Sequence, residues 1–217
     1  MQIKCLIFDF DGTLVDTRKT IVASKQETMR RLQLPVLDEE TCASTIGLSA
    51  RGSFEKLYPS LSEDRIKECI VLSRKLFEEM KEEIPPVLFP GVRETLRSLY
   101  EAGYRLTIAS SRNSVSLKEF LQKMEIEAYF TYVLGGDDTA KLKPDPEPVL
   151  KTLEVFGYQP EEVLVVGDMP MDIAMGKGAQ VKTCGVTYGN ASRETLEEAG
   201  ADYLIDEVNA LCSLLNA

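Results

Sequence analysis

The chain has 217 residues, 44% of them hydrophobic and 28% charged, and its 35 acids against 25 bases give a net charge of −10. This composition fits a globular protein with one full core and a smaller second one, and the acidity excludes nucleic acid and anionic membrane as natural partners. Histidine is absent, which rules out Ser-His-Asp and Cys-His nucleophile pairs, a histidine general base and His-ligated zinc.

The first apolar run, Ile3 to Phe8, reads as a buried strand, and Asp9 stops it too early for a signal peptide. No run approaches the roughly 18 apolar residues of a membrane span, so a cytoplasmic protein is expected. The strand lies within "KCLIFDFDGTLVDT" (Lys4 to Thr17) and ends in Asp9 and Asp11, one residue apart, before Gly12. A buried carboxylate is costly unless something pairs with it, so this pair marks either a turn or a site.

The stretch from about Asp16 to Leu88 reads as helical. In Glu63 to Ile84 the apolar residues Ile66, Ile70, Phe77, Met80 and Ile84 recur with helical spacing behind Ser62, a predicted N-cap. Pro85, Pro86 and Pro90-Gly91 then break the pattern. The spacing predicts a helical domain over 16–86, hinged near Asp16 and Pro86, inserted into a core made of 1–15 and 87–217.

Beyond the insertion, strands are predicted at Arg105 to Ala109, Tyr132 to Leu134, Val163 to Val166, Lys182 to Val186 and Tyr203 to Ile205. Amphipathic segments at Val92 to Glu101, Ser116 to Met124 and Pro148 to Phe156 alternate with them, which predicts an α/β fold with a parallel sheet covered on both faces. "GKGA" (Gly176 to Ala179) follows a helix instead of a strand and reads as a helix C-cap. The cysteines Cys5, Cys42, Cys69, Cys184 and Cys212 are odd in number and show no CxxC spacing, so they are expected to be reduced and buried.

In such a sheet, ligands bind beyond the carboxyl ends of the strands. Those ends carry Asp9 and Asp11; Ser110, Ser111, Arg112 and Asn113; Lys143 before Pro144; and Gly167, Asp168 and, one turn on, Asp172. If the extended backbone persists to Asp11, both early carboxylates point to the same side, one as nucleophile and the other as acid and base. An oxygen-rich site with several acids suits Mg²⁺, which offsets the repulsion among Asp9, Asp11 and Asp168. Ser110 and nearby backbone N–H groups make a cradle for a phosphoryl oxygen, and Lys143 supplies a point charge. Singly, each feature has an ordinary structural explanation; together, at successive strand ends, they read as one constellation.

"DFDGTLVDT", "IASSRN", "KLKPDPEP" and "VVGDMPMDIAMG" resemble, in order and spacing, the four motifs of the haloacid dehalogenase-like hydrolase superfamily. The resemblance spans nearly the whole chain. It implies a Rossmann-like core with an α-helical cap, Asp9 as a nucleophile that becomes aspartyl-phosphate, and Asp11 as the acid that protonates the leaving group and then activates water. It also implies that Ser110, with Ser111 beside it, and Lys143 bind the phosphoryl group. Mg²⁺ would be held by Asp9, the Asp11 backbone carbonyl and Asp168, with Asp172 in support.

An aspartate two residues after the nucleophile distinguishes the resembling phosphatases and phosphomutases from the dehalogenases, whose leaving group needs no proton. "GGDDTAKLKPDPEP" and "GVTYGN" resemble phosphoglycolate phosphatases, and "KPDPEPVLKTLEVFGYQPEEVLVVGD" resembles the pyrophosphatases of the same group. A phosphatase of a small phosphorylated metabolite is therefore expected, with pyrophosphatase, β-phosphoglucomutase-like mutase and idle phosphometabolite sensor as alternatives. No protein partner is evident. In "TIGLSARGSFEKL", Arg51 is the cation expected to take a second anionic group of the substrate.

Overall fold

Strand β1 (Cys5–Phe8) is buried on both sides because its alternating side chains enter two different clusters. Leu6 and Phe8 pack with Leu106, Ile108, Leu164 and Val166, whereas Cys5 and Ile7 pack with Val149, Val163, Val165 and Met175. The computed structural model describes residues 3–216. After β1 come the two-residue β2 (Val15–Asp16) and the helices α1 (Arg18–Arg31), α2 (Glu39–Ala43), α3 (Ala50–Leu57) and α4 (Glu63–Glu83). The chain continues through β3 (Val87–Leu88), α5 (Val92–Glu101), β4 (Arg105–Ala109), α6 (Ser114–Lys123), β5 (Phe130–Leu134) and α7 (Glu147–Phe156). It ends with β6 (Val163–Gly167), α8 (Pro170–Gly178), β7 (Lys182–Val186), α9 (Arg193–Glu198), β8 (Tyr203–Ile205) and α10 (Ala210–Leu215).

The α/β class and the parallel sheet are as expected. Six strands pair in the order β5-β4-β1-β6-β7-β8, every neighbouring pair parallel. Phe8 is level with Ile108 on one side and Val166 on the other, so the chain leaves the sheet at one edge with Asp9, Ser110 and Asp168 close in register. The strand order reverses at β1, and that edge is where a parallel sheet opens a crevice.

Two differences have simple causes. Helix α6 begins at Ser114, ahead of the expected start, because the Asn113 side chain accepts from the Ser116 N–H and caps the helix. The antiparallel pair β2–β3 joins Val15 to Leu88 and Asp16 to Val87, close to the expected hinges, but two residues per strand leave no periodicity to read. As expected, Ser62 accepts from the Arg65 N–H at the start of α4, and the "GKGA" segment closes α8 with Ala179 as C-cap. All five cysteines are free; four are buried and Cys212 is half-buried.

The helices α1–α4 carry their own small clusters, one around Val22, Met29, Cys42 and Ile46 and another around Phe54, Ile66 and Cys69. Phe77 of α4 instead joins the large cluster on the sheet, stacking edge-on to Phe120 of α6 with ring centroids 6.1 Å apart. Between these helices and the carboxyl edge of the sheet lies a cavity of about 380 Å³.

Candidate active site

Three carboxylates meet at that edge. Asp9, Asp168 and Asp172 each offer an oxygen within 4.8 Å of the others, and all three residues are buried. Asp9 follows β1 directly, and its N–H donates to the Val166 carbonyl at 2.8 Å, which prolongs the pairing with β6 by one residue. Asp168 follows β6. Its Oδ2 accepts from the backbone N–H and the side-chain Nδ2 of Asn190, each at 2.8 Å, and its Oδ1 accepts from the Thr13 hydroxyl at 3.2 Å.

Lys143 ties the cluster together. Its Nζ donates to Asp9 Oδ1 at 2.5 Å and to Asp172 Oδ1 at 2.7 Å, while Asp172 Oδ2 accepts from the Met169 N–H at 3.0 Å. Burial works to lower the Lys143 ammonium, but the carboxylates of Asp172 and Asp9 outweigh it and hold its pKa above the ordinary lysine value. Asp9 is pushed well above the usual carboxylate range, first by burial and then by Asp172 and Asp168, against the pull of Lys143. Asp168 is pushed up to about 7 by burial and by Asp172, despite the hydrogen bonds from Asn190 and Thr13. Three buried acids served by one lysine lack positive charge.

Asp9 Oδ2 is buried without a hydrogen-bond partner. An orphaned carboxylate oxygen beside two further buried carboxylates is a donor set for a hard divalent cation, and the residues present fit Mg²⁺. The loop that brings them together depends on Gly12, whose φ is +93°. A Cβ there would fall 2.2 Å from Asp168 Oδ2 and 2.3 Å from Asn190 Nδ2, so no side chain fits at that turn.

Asp11 lines the cavity with Asp9, as the alternation predicts, but its carboxylate does not join the three-acid cluster. Both of its oxygens are taken by Arg112, from Nη2 at 2.6 Å and from Nε at 3.1 Å. The Arg112 guanidinium also donates to the Ser116 hydroxyl and lies against the rings of Phe77 and Phe120, 4.7 and 4.8 Å from their centroids. This bidentate pair gave no signal in the sequence, where Arg112 is simply the residue after two serines.

Ser110 and Ser111 both line the cavity. The Ser110 hydroxyl accepts from the Arg112 N–H at 3.2 Å, and the Ser111 hydroxyl is buried without a partner. Ser110 is not the cap of α6; Asn113 takes that place. Arg51 departs from expectation. Its guanidinium grips Glu63 with two bonds of 2.8 Å and Glu55 with one of 3.1 Å, and it does not line the cavity. The reason is local: α3 places Glu55 one turn along, and the first residue of α4 supplies Glu63, so an exposed arginine finds two acids before any ligand. The cations that do line the cavity are Lys25, Arg74 and Arg112.

With this geometry in view, similarity to known proteins is informative. A family model described as haloacid dehalogenase-like hydrolase matches residues 6–186. A phosphoglycolate phosphatase of Salmonella typhimurium is 32% identical over 234 aligned positions, covering 99% of this chain and 93% of the relative. A pyrophosphatase PpaX of Bacillus cereus is 31% identical over 216 positions, covering 100% of this chain and 98% of the relative. Among solved structures, a haloacid dehalogenase-like family hydrolase from Streptococcus pneumoniae superposes with a TM-score of 0.86 over 98% of each chain at 23% identity, which shows the shared fold. The chain belongs to the haloacid dehalogenase-like hydrolase family.

Proposed function

We propose that this protein is a Mg²⁺-dependent phosphatase of a small phosphorylated metabolite, working through an aspartyl-phosphate on Asp9. One observation carries the reading: a buried carboxylate with a free oxygen stands at the cavity floor, with a lysine fixing its other oxygen and two more acids beside it. Asp9, Asp168 and Asp172 would hold the metal, which when bound neutralises the acids and draws charge from the phosphoryl group.

The chain's own groups then divide the work. Lys143 fixes the plane of the Asp9 carboxylate and places positive charge beside it. An Asp9 oxygen attacks phosphorus, the bond from phosphorus to the leaving oxygen breaks, and Asp11 gives that oxygen a proton. Water then attacks phosphorus, Asp11 takes its proton, the bond to Asp9 breaks, and inorganic phosphate departs. Asp11 must leave Arg112 and take up a proton from water before it can give one, so the form paired with Arg112 is the waiting one. Ser110 and Ser111 offer hydroxyls to the phosphoryl oxygens.

We assign residues 16–86 as a cap that closes the site and residues 1–15 and 87–217 as the catalytic core. The five free cysteines suit a reducing cytoplasm. Relatives named for phosphoglycolate and for pyrophosphate are about equally similar, which supports a carboxyalkyl alcohol or a second phosphate as the leaving group. Steady-state rates with 2-phosphoglycolate, pyrophosphate, hexose phosphates and nucleotides test the reading. Failure to release phosphate from any of them with Mg²⁺ present would overturn it, as would full activity in Asp9→Asn.

A further inference from the structure

Lys25 sits in the middle of α1, 6% exposed, on the wall of the cavity facing the carboxyl edge of the sheet. Its Nζ donates to the Cys42 carbonyl at 3.1 Å and to the Thr45 hydroxyl at 2.6 Å, and that hydroxyl in turn donates to the same carbonyl at 2.8 Å. Both acceptors are uncharged. An ammonium has three N–H groups, so one remains for a ligand.

The other buried cations of the site are spent. Lys143 lies between Asp9 and Asp172, and Arg112 holds both oxygens of Asp11. No carboxylate among the described residues forms an ion pair with Lys25. The acid that acts on it electrically across the cavity is Asp11, already engaged by Arg112. Burial without a counter-ion pulls its pKa down to about 7. A protein keeps an unpaired buried charge only at a cost to stability, and a ligand of opposite sign removes that cost.

We propose that Lys25 binds a second anionic group, a carboxylate or a phosphate, carried on the same small substrate as the reacting phosphoryl group. The proposal rests on the phosphatase reading above and narrows its substrate. Ile21, Ile46, Leu48 and Phe54 line the same cavity, together with the hydroxyl-bearing Ser24, Ser53 and Ser73. A phosphosugar would leave the ammonium unpaired, whereas a short molecule with an anion at each end completes it. Thr45 fixes the ammonium and so helps aim its remaining N–H.

The test uses Lys25→Met, which keeps the length and loses the charge, in the full chain. kcat/KM is measured for 2-phosphoglycolate, pyrophosphate and p-nitrophenyl phosphate; dissociation constants for 2-phosphoglycolate, pyrophosphate and inorganic phosphate are measured by calorimetry in chelator. The variant should lose about 10- to 100-fold toward 2-phosphoglycolate, pyrophosphate or both, and stay within about threefold for the probes without a second anion. Loss confined to 2-phosphoglycolate identifies a carboxylate; loss confined to pyrophosphate identifies a phosphate. Equal losses for all probes, no loss for any, or no binding of either doubly anionic ligand by the wild type overturns the proposal. A wild type that binds them but hydrolyses no phosphate defeats the phosphatase reading, and the binding ratios still decide Lys25. Lys25→Gln, which keeps a hydrogen-bond donor near Cys42 and Thr45, is read the same way if Lys25→Met does not fold.

Discussion

Asp11 differs from Asp9 in what holds it. Asp9 is fixed by a lysine that also serves Asp172, whereas Asp11 is gripped by an arginine that, in the proposed mechanism, must let it go before it can move a proton. Asp11→Asn should therefore lower kcat on the order of 10²-fold for substrates with basic leaving groups and much less for p-nitrophenyl phosphate, whose leaving group needs little protonation. A pair of kcat values for each enzyme checks this, and equal losses would take the proton-transfer role from Asp11. Arg51→Ala should leave kcat/KM within about threefold for every substrate, because its partners are Glu55 and Glu63 and it stands outside the cavity. A loss selective for doubly anionic substrates would show that the arginine swings inward.

The same contrast explains which residues could be read from the sequence. Asp9, Ser110, Asp168 and, through Lys143, Asp172 were legible because each follows a strand or lies one turn beyond, and strand ends in a parallel sheet converge by construction. Lys25 was not, since a lysine between Ser24 and Gln26 looks like any solvated helix position until α2 and the Thr45 turn cover it. For Arg51 the charge is plain in the sequence, but the acids that hold it come from α3 and α4 together and could not be read there. Asn190 lay in the quoted "GVTYGN", yet nothing local shows that it reaches Asp168.

Among the elements, the core strands were legible because strand burial writes continuous apolar runs. Arg105–Ala109, Lys182–Val186 and Tyr203–Ile205 have the expected bounds, whereas β5 starts two residues earlier than expected, at Phe130. The short α2 and α3 and the β2–β3 pair were not, since five to eight residues, or two, carry too little periodicity. Helix α4 has a particular place. Its Ile66 and Cys69 belong to a small cluster with Phe54 of α3, and Phe77, two turns on, belongs to the sheet's cluster and faces Arg112. Phe77→Ala should cost about 3 kcal/mol, the usual penalty for emptying a buried aromatic site, read as a shift in urea midpoint at unchanged slope. A cost under about 1 kcal/mol would mean that α4 does not stay docked on the sheet in solution.

At the scale of the whole molecule, a net charge of −10 and a cluster of three buried acids act in the same direction, and both call for a cation. Asp168 has an ordinary carboxylate value of 3.8 when unfolded and about 7 in the fold, so between those values the folded chain holds more protons than the unfolded one. Stability therefore falls as pH rises through that window, and the contribution is fully present only below it. In chelator, the thermal midpoint of the wild type should drop more between pH 4.5 and 7.5 than that of Asp168→Asn, whose amide has no proton to release in that range. Mg²⁺ at about 100 times its dissociation constant adds roughly 2.7 kcal/mol to the folded state by linkage, which for a chain of this size is about 5–10 °C. That shift should appear in the wild type at pH 7.5, shrink as the acids protonate toward pH 5, and be nearly absent in Asp168→Asn. Ca²⁺ should also stabilise the protein but support little hydrolysis, because it takes more oxygen ligands at longer distances and would engage the carboxylate of Asp9, the proposed nucleophile. Scanning calorimetry and phosphate release on the same samples separate the two effects: a metal that raises the midpoint equally in wild type and Asp168→Asn binds elsewhere, and turnover that survives chelation would remove the metal from the chemistry altogether.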